Sequence, residues 1–177
     1  PRDYYVPLSI SNGVKDKLTH AGIYGIKCSQ DTLGMLYGID VDYYFRVNFS
    51  GFQKIIDALG GITVNVDRDF SAGGYTYKLG LQQMNGKEAL AYSRERHSFA
   101  DGDNVRVKHQ QDVLMAMLNK MMSPAVITNY SSVLKAISGC FETNMASSDI
   151  TDLIKMQIND NASWTFKQKQ FNGTGVM

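Results

Sequence analysis

Cysteine, proline and tryptophan are scarce here, with two, three and one copies in 177 residues. Cys28 and Cys140 have no metal-site spacing, which excludes a zinc module and a disulfide-rich scaffold. One bond between them is open, but two buried free thiols are the better reading. Acids and bases nearly cancel, 17 against 18, for a net charge of +1. With no basic stripe and no recognition-helix pattern, a dedicated nucleic-acid binder is disfavoured. The Gly73-Gly74 pair lacks the Walker spacing and there is no GxGxxG, so no nucleotide loop is present. His20 has no Ser or Cys motif near it to complete a nucleophilic triad. No apolar run approaches the roughly 20 residues of a membrane helix, and no leader is visible. Those two absences exclude little, because the chain reads as a piece of a longer one. No internal repeat or low-complexity linker divides it. At 44% hydrophobic residues it can bury one substantial core.

What the chain does have is RERHSFADGDNVRVKHQQ, Arg94 to Gln111. Arg94, Arg96, Arg106 and Lys108 share it with Glu95, Asp101, Asp103, His97 and His109. Arg forks onto phosphate oxygens better than any other side chain, so the stretch is a candidate phosphate site. On charge pattern alone a solvated, salt-bridged loop is the better account. Geometry adds to the anion reading. GKEALAYSRER looks like a short helix ending near Arg94. Arg94 and Arg96 then face one way only if the chain is extended between them. Asp103 or Asn104 is placed to cap the next helix. On it Arg106, Gln110, Leu114 (or Val113), Met117 and Met121 form one stripe. A cationic mouth above an apolar channel suits an anionic head with a lipid tail. For a Met-rich stripe alone, ordinary core packing is the better account.

Around this stretch the elements alternate. PRDYYVPL reads as an extended strand edge. Arg2 and Asp3 at its end either reach a cleft or form a surface ion pair. A turn is expected at Asn12-Gly13, in a loop that carries Lys17 and His20. Ser29 or Asp31 caps a helix to about Tyr37, burying Leu33, Leu36 and Tyr37 and stopped by Gly38. Val41 to Phe49 reads as a strand, with Arg46 outward. Ser50 and Gln53 give a capping-box pattern for a helix through Leu59, with Phe52, Ile55, Ile56 and Leu59 inward. ITVNV is a strand, and the order from Tyr43 to Val66 suits a crossover unit. One short strand around Tyr75 to Leu79 and a turn at Asn85-Gly86 lead to the arginines. Helices are expected from about Asn104 to Met122, from Pro124 to Ser138, and from Ser148 or Asp149 onward. A last strand runs from Trp164 to Gln170. The expectation is a single α/β domain over 1–177. Its mixed central β-sheet is flanked by helices on both faces and encloses a hydrophobic lipid-binding pocket.

GKEALAYSRERHSFADGDNVRVKHQQ resembles the signature of the LytR-CpsA-Psr family, a paired-Arg motif followed by an Asp, an Arg and a Gln-Gln. PRDYYVPL, DKLTHAGIYG and VNFSGFQKIIDALGGITVNV are similar to the family's other landmarks, in the same order. The resemblance spans nearly the whole chain. One departure is His109, where an Arg is common in the family, and a His carries little charge at neutral pH.

The resemblance implies a phosphotransferase. Members take a glycopolymer, capsular polysaccharide or teichoic-acid-like, from a polyprenyl-pyrophosphate carrier and join it to peptidoglycan through a phosphodiester. Carried onto this chain, Arg2, Arg94 and Arg96 are the catalytic candidates. Arg106, Gln110, Lys17 and Asp103 are substrate-binding candidates, Asp103 orienting Arg106. Mg2+ or Mn2+ is the implied cofactor, with its carboxylate ligands expected mostly upstream of PRD. The resemblance also implies an upstream membrane anchor and a place on the outer face of a Gram-positive plasma membrane. By themselves the residues support a non-catalytic module for polyprenyl phosphate or anionic glycolipid equally well.

Overall fold

The computed structural model describes residues 3–100, 102–160 and 164–167. It holds two compact units, one within Pro1–Phe45 and Thr143–Met145, the other within Arg46–Glu142 and Ala146–Phe166. In the first, β1 (Tyr5–Pro7) pairs antiparallel with β2 (Lys15–Lys17). The expected turn joins them, with Asn12 and Gly13 both left-handed at φ 48 and 89, a region open to Gly and tolerated by Asn. A 3-10 helix over Leu18–Tyr24 leads into α1 (Ile26–Tyr37), which starts ahead of the expected Ser29 cap and stops at Gly38. Val6, Leu8, Ala21 and Cys28 form this unit's core. Thr32 is buried with them, and its Oγ1 accepts from the Ser9 amide at 3.1 Å. Tyr37 is exposed rather than buried. Cys28 is a free thiol, as is Cys140 in the second unit.

The chain then runs through β3 (Phe45–Val47), α2 (Phe49–Ala58), β4 (Ile62–Val66), β5 (Phe70–Ala72), β6 (Tyr75–Tyr77) and β7 (Gly80–Met84). After these come α3 (Gly86–Arg94), α4 (Gly102–Met121), α5 (Pro124–Thr128), α6 (Tyr130–Ala136), β8 (Phe141–Thr143) and α7 (Ser147–Asp160). The α/β class holds, but the one central sheet with helices on both faces is corrected. Among the described residues the strands form four two-stranded ladders, β1–β2, β3–β8, β4–β7 and β5–β6. In β4, Ile62, Val64 and Val66 are buried while Thr63 and Asn65 are exposed. That alternation is what a ladder covered on one face requires, and α4 packs against β4. Because β3 pairs with β8, the stretch from Tyr43 to Val66 is not a crossover within one sheet. The strand expected from Val41 shrinks to Phe45–Val47.

Turn chemistry accounts for most other differences. Asn48, not Ser50, caps α2, accepting from the Gly51 amide at 2.8 Å. Asn85-Gly86 opens α3 instead of making a turn. The Asn85 side chain accepts from the amides of Lys87 and Glu88, and Glu88 accepts in return from the Asn85 amide at 2.8 Å. The helix expected from Pro124 to Ser138 breaks at Asn129. Thr128 Oγ and Asn129 Nδ2 donate to the Pro124 and Ala125 carbonyls at 2.8 and 3.0 Å, competing with the helix's own amides. Trp164 lies in no regular element and donates to Gln157 at 2.6 Å. Most of the expected strand from Trp164 to Gln170 lies outside the described residues.

The second core gathers Ile56, Val64, Tyr77, Met84, Tyr92 and Val113. α3 packs against both α2 and α4. Its start is pinned to α2, where the Gly86 amide donates to Asp57 at 2.7 Å. A Cβ on Gly86 would lie 2.3 Å from the Gln53 carbonyl oxygen. Asn85→Ala is therefore expected to cost about 1 kcal/mol for the lost cap. Gly86→Ala is expected to cost on the order of 1–3 kcal/mol, because backbone must move to admit the methyl group. Urea unfolding of the two variants checks both sizes and their order.

Candidate functional site

The last turn of α3 and the first turns of α4 carry the charged stretch. α3 ends at Arg94, and Glu95 is extended at φ −66 and ψ 133, the condition under which Arg94 and Arg96 project to one side. Both arginines are exposed. The Arg94 guanidinium lies over the Phe49 ring, 4.6 Å from its centroid. Arg96 Nε donates to His97 Nε2 at 3.2 Å. Neither guanidinium pairs with a carboxylate among the described residues. Glu95 turns inward instead and accepts from the amides of His97 and Ser98. Burial works to raise its carboxyl pKa, but the Ser98 and His97 hydrogen bonds outweigh that and hold it below the usual carboxylate range.

α4 meets this turn with a different face from the one its spacing suggested. Arg106, His109, Val113 and Ala116 are the buried residues. Gln110, Leu114 and Met121 are exposed, and Met117 is half-buried against the core. Arg106 is 8% exposed and pairs with Asp103 at 3.2 Å, across one helical turn. The Gln110 side chain donates to the Ser93 carbonyl at 3.4 Å. Four of the candidates thus gather around the α3–α4 junction, with Gln110 on the same helix.

His109 is fully buried. Its ring stacks on Tyr92 at 4.0 Å and on Phe70 at 5.3 Å, with Phe99 edge-on at 5.6 Å. Nδ1 lies 3.2 Å from the Tyr92 carbonyl. A carbonyl only accepts, so Nδ1 carries the proton. Nε2 and the Tyr92 hydroxyl are both buried without a partner among the described residues. Burial pushes the His109 pKa down, against the Tyr92 hydrogen bond and the Asp67 charge that favour protonation. On the neighbouring side of α4, Lys108 bridges Asp112 at 3.0 Å and Asp67 at 3.3 Å. Burial opposes its charge, but the two carboxylates keep its pKa raised. The sequence reading passed over Phe49 and this Lys108 bridge. An aromatic at a helix start and a Lys between acids carry no motif signal.

The remaining candidates are not part of this junction as described. Lys17 belongs to the first unit, where it is exposed and lies 3.7 Å from Asp3. Arg2 lies outside the described residues. His20 bonds Asp16 at 2.8 Å, and that bond is the leading cause of a lowered Asp16 pKa. No group of three His, Cys, Asp or Glu that could hold a metal ion is present among the described residues. An open depression of about 450 Å³ is lined by Asp57, Gly60, Gly61, Gln83, Met84, Asn85 and Glu88. It contains none of the candidates.

Residues 1–177 match the family model described as the LytR_cpsA_psr family. The chain is 36% identical over 154 residues to the polyisoprenyl-teichoic acid–peptidoglycan teichoic acid transferase TagU of Bacillus licheniformis, covering 86% of this chain and 50% of that protein. It is 34% identical to the TagU of Bacillus subtilis, covering 99% and 57% respectively. The crystal structure of B. subtilis TagV superposes with a TM-score of 0.78 at 32% identity, over 88% of this chain and 62% of that one. The chain spans about half the length of the curated relatives it matches.

His109 sets a pH dependence of stability. An unfolded His takes up a proton below about pH 6.5, whereas buried His109 resists it. The unfolded state then binds more protons. Stability is therefore full above that pH and is lost as pH falls towards the lowered folded value. Urea midpoints at pH 7.5 and 5.5 are expected to drop in the wild type. The drop should be smaller in His109→Phe, which keeps the ring stack without the titrating group.

Proposed function

The chain belongs to the LytR_cpsA_psr family, and from that membership we propose that it is a phosphotransferase. Its donor is a teichoic-acid-like or capsular glycopolymer on a polyprenyl-pyrophosphate carrier, and its acceptor is peptidoglycan. The acceptor's sugar hydroxyl attacks the phosphorus that bears the glycopolymer. A new P–O bond forms and the bond to the bridging oxygen breaks. The lipid phosphate leaves with the electron pair, and the hydroxyl proton passes to a base. Such a transfer needs charge neutralisation and alignment more than covalent help from the protein.

The observation that carries this reading is the pair Arg94 and Arg96. Both are exposed and without a described carboxylate, at the end of a helix fastened to its neighbours. Their N–H edges suit two oxygens of a pyrophosphate. Arg106, buried and paired with Asp103, adds a further guanidinium at the start of α4, and Gln110 offers a neutral donor. Leu114 and Met121, 55% and 43% exposed on the same helix, suit the prenyl chain near its phosphate, on one wall of the proposed lipid pocket. Arg2 and Lys17 are proposed to contact substrate on the strength of family membership alone. Mg2+ or Mn2+, when bound, would supply further charge neutralisation. The proposal sets the protein on the outer face of a Gram-positive plasma membrane, held by an upstream anchor. No helix among the described residues is long and apolar enough to cross a membrane.

Titration of farnesyl pyrophosphate, with and without Mg2+, tests the clamp. Arg94→Ala combined with Arg96→Ala is expected to weaken binding by roughly 10- to 100-fold, the worth of one or two charge-assisted hydrogen bonds. Equal binding by wild type and double variant would return the stretch to a solvated loop. Binding with no release of lipid phosphate from a glycopolymer-linked donor would mark a binding module instead of an enzyme.

A further inference from the structure

The proposed clamp rests on a guanidinium that no carboxylate among the described residues holds. An exposed Arg samples many rotamers, and ordering it on binding costs side-chain entropy. Something else must narrow that freedom if Arg94 is to meet a phosphate ready-made. In the structure its guanidinium lies over the Phe49 ring, and Phe49 is itself 61% exposed. A large aromatic at such a surface position contributes little to the core, which needs a reason.

The backbone places the ring deliberately. Phe49 is the first residue of α2, directly after the Asn48 cap. Ser50 Oγ also donates to Asn48 Oδ1 at 3.0 Å. Gly51, next along, sits so close to Cys140 that a Cβ would lie 2.1 Å from its carbonyl oxygen. The start of α2 is therefore fixed in place. At the far end of the pair, the Gly86 amide meets Asp57. The same glycine sits against Gln53, where a Cβ would lie 2.3 Å from the carbonyl oxygen. The start of α3 is thus seated on α2, and its last residue, Arg94, lays its guanidinium over the Phe49 ring.

We propose that Phe49 is a positioning residue for Arg94, holding its guanidinium by a cation–π stack so that the N–H edge is presented to a phosphoryl oxygen. The stack occupies the guanidinium's face and leaves its in-plane donors for the anion. This inference rests on the proposed phosphate clamp. It assigns Phe49 no contact with the reacting atoms.

The test is a double-mutant cycle on the 177-residue chain with farnesyl pyrophosphate as probe. Phe49→Leu is expected to weaken binding about two- to fivefold, the size of an exposed cation–π stack. Phe49→Trp should restore or improve it. In an Arg94→Met background Phe49→Leu should change nothing. The melting temperature should stay put, because the ring is mostly exposed. Proton NMR gives a readout independent of ligand: the Arg94 side-chain resonances should carry a ring-current shift that Phe49→Leu removes. If Phe49→Leu weakens binding equally in both backgrounds, or not at all, or if no ring-current shift is present, the positioning role is wrong while the clamp stands. If the wild type does not bind the probe, the clamp fails and this role fails with it.

Discussion

The structure depends on how the end of α3 is satisfied. A helix that stops leaves its last carbonyls without amide partners. Here Glu95 goes extended, so the chain itself does little for them. Consecutive side chains of α4 take over, His109 reaching the Tyr92 carbonyl and Gln110 the Ser93 carbonyl. Those two bonds tie α4 to the residues immediately before Arg94. With Gly86 pinned to α2 at the other end, α3 is held at both termini. A pair of arginines on an extended tripeptide would otherwise be a loose feature. In this fold it is the rigid edge of a three-helix contact.

His109 shows what decides a buried position. The slot is walled by Phe70, Tyr92 and Phe99, and it offers one carbonyl and no carboxylate contact. An Arg there would bring a charge into an apolar site, at several kcal/mol without a matched partner. A neutral imidazole loses little by burial, stacks as an aromatic, and gives the Tyr92 carbonyl a donor beside the longer bond from the Glu95 amide at 3.4 Å. Charge is displaced to neighbouring positions that can carry it. Arg106 turns to Asp103, and Lys108 reaches Asp67 and Asp112.

Local signals read well from the sequence where one short segment settles the outcome. The turn at Asn12-Gly13, the stop at Gly38, the alternation of ITVNV and the end of α3 near Arg94 are of this kind. Pairing between distant segments did not read. Nothing in Phe45–Val47 announces β8 as its partner, and the sheet expectation failed on that point. Asn85-Gly86 was ambiguous by chemistry, because Asn serves both turns and helix caps; Glu88 three residues on is what resolves it. At the candidate site the extended step between Arg94 and Arg96 was legible, because the polar run after Tyr92 marks a helix end. Their supports were not. Phe49 is more than forty residues from Arg94, and only the α2–α3 register brings them together.

The phase of α4 is the clearest instance, and it bears on function. Arg106 begins two helical series, one through Gln110, Leu114, Met117 and Met121, the other through His109, Val113 and Ala116. Both have three- or four-residue steps, so periodicity alone cannot choose between them. The first is the greasier series and the natural guess for the core. The aromatic cluster of Phe70, Tyr92 and Phe99 selects the second, because it can stack on an imidazole and not on a glutamine. A helix turns about 100° per residue, so choosing His109 over Gln110 swings Leu114 and Met121 outward. Of the apolar face that the spacing pointed to, Leu114 and Met121 thereby stay exposed, while Met117 packs against the core.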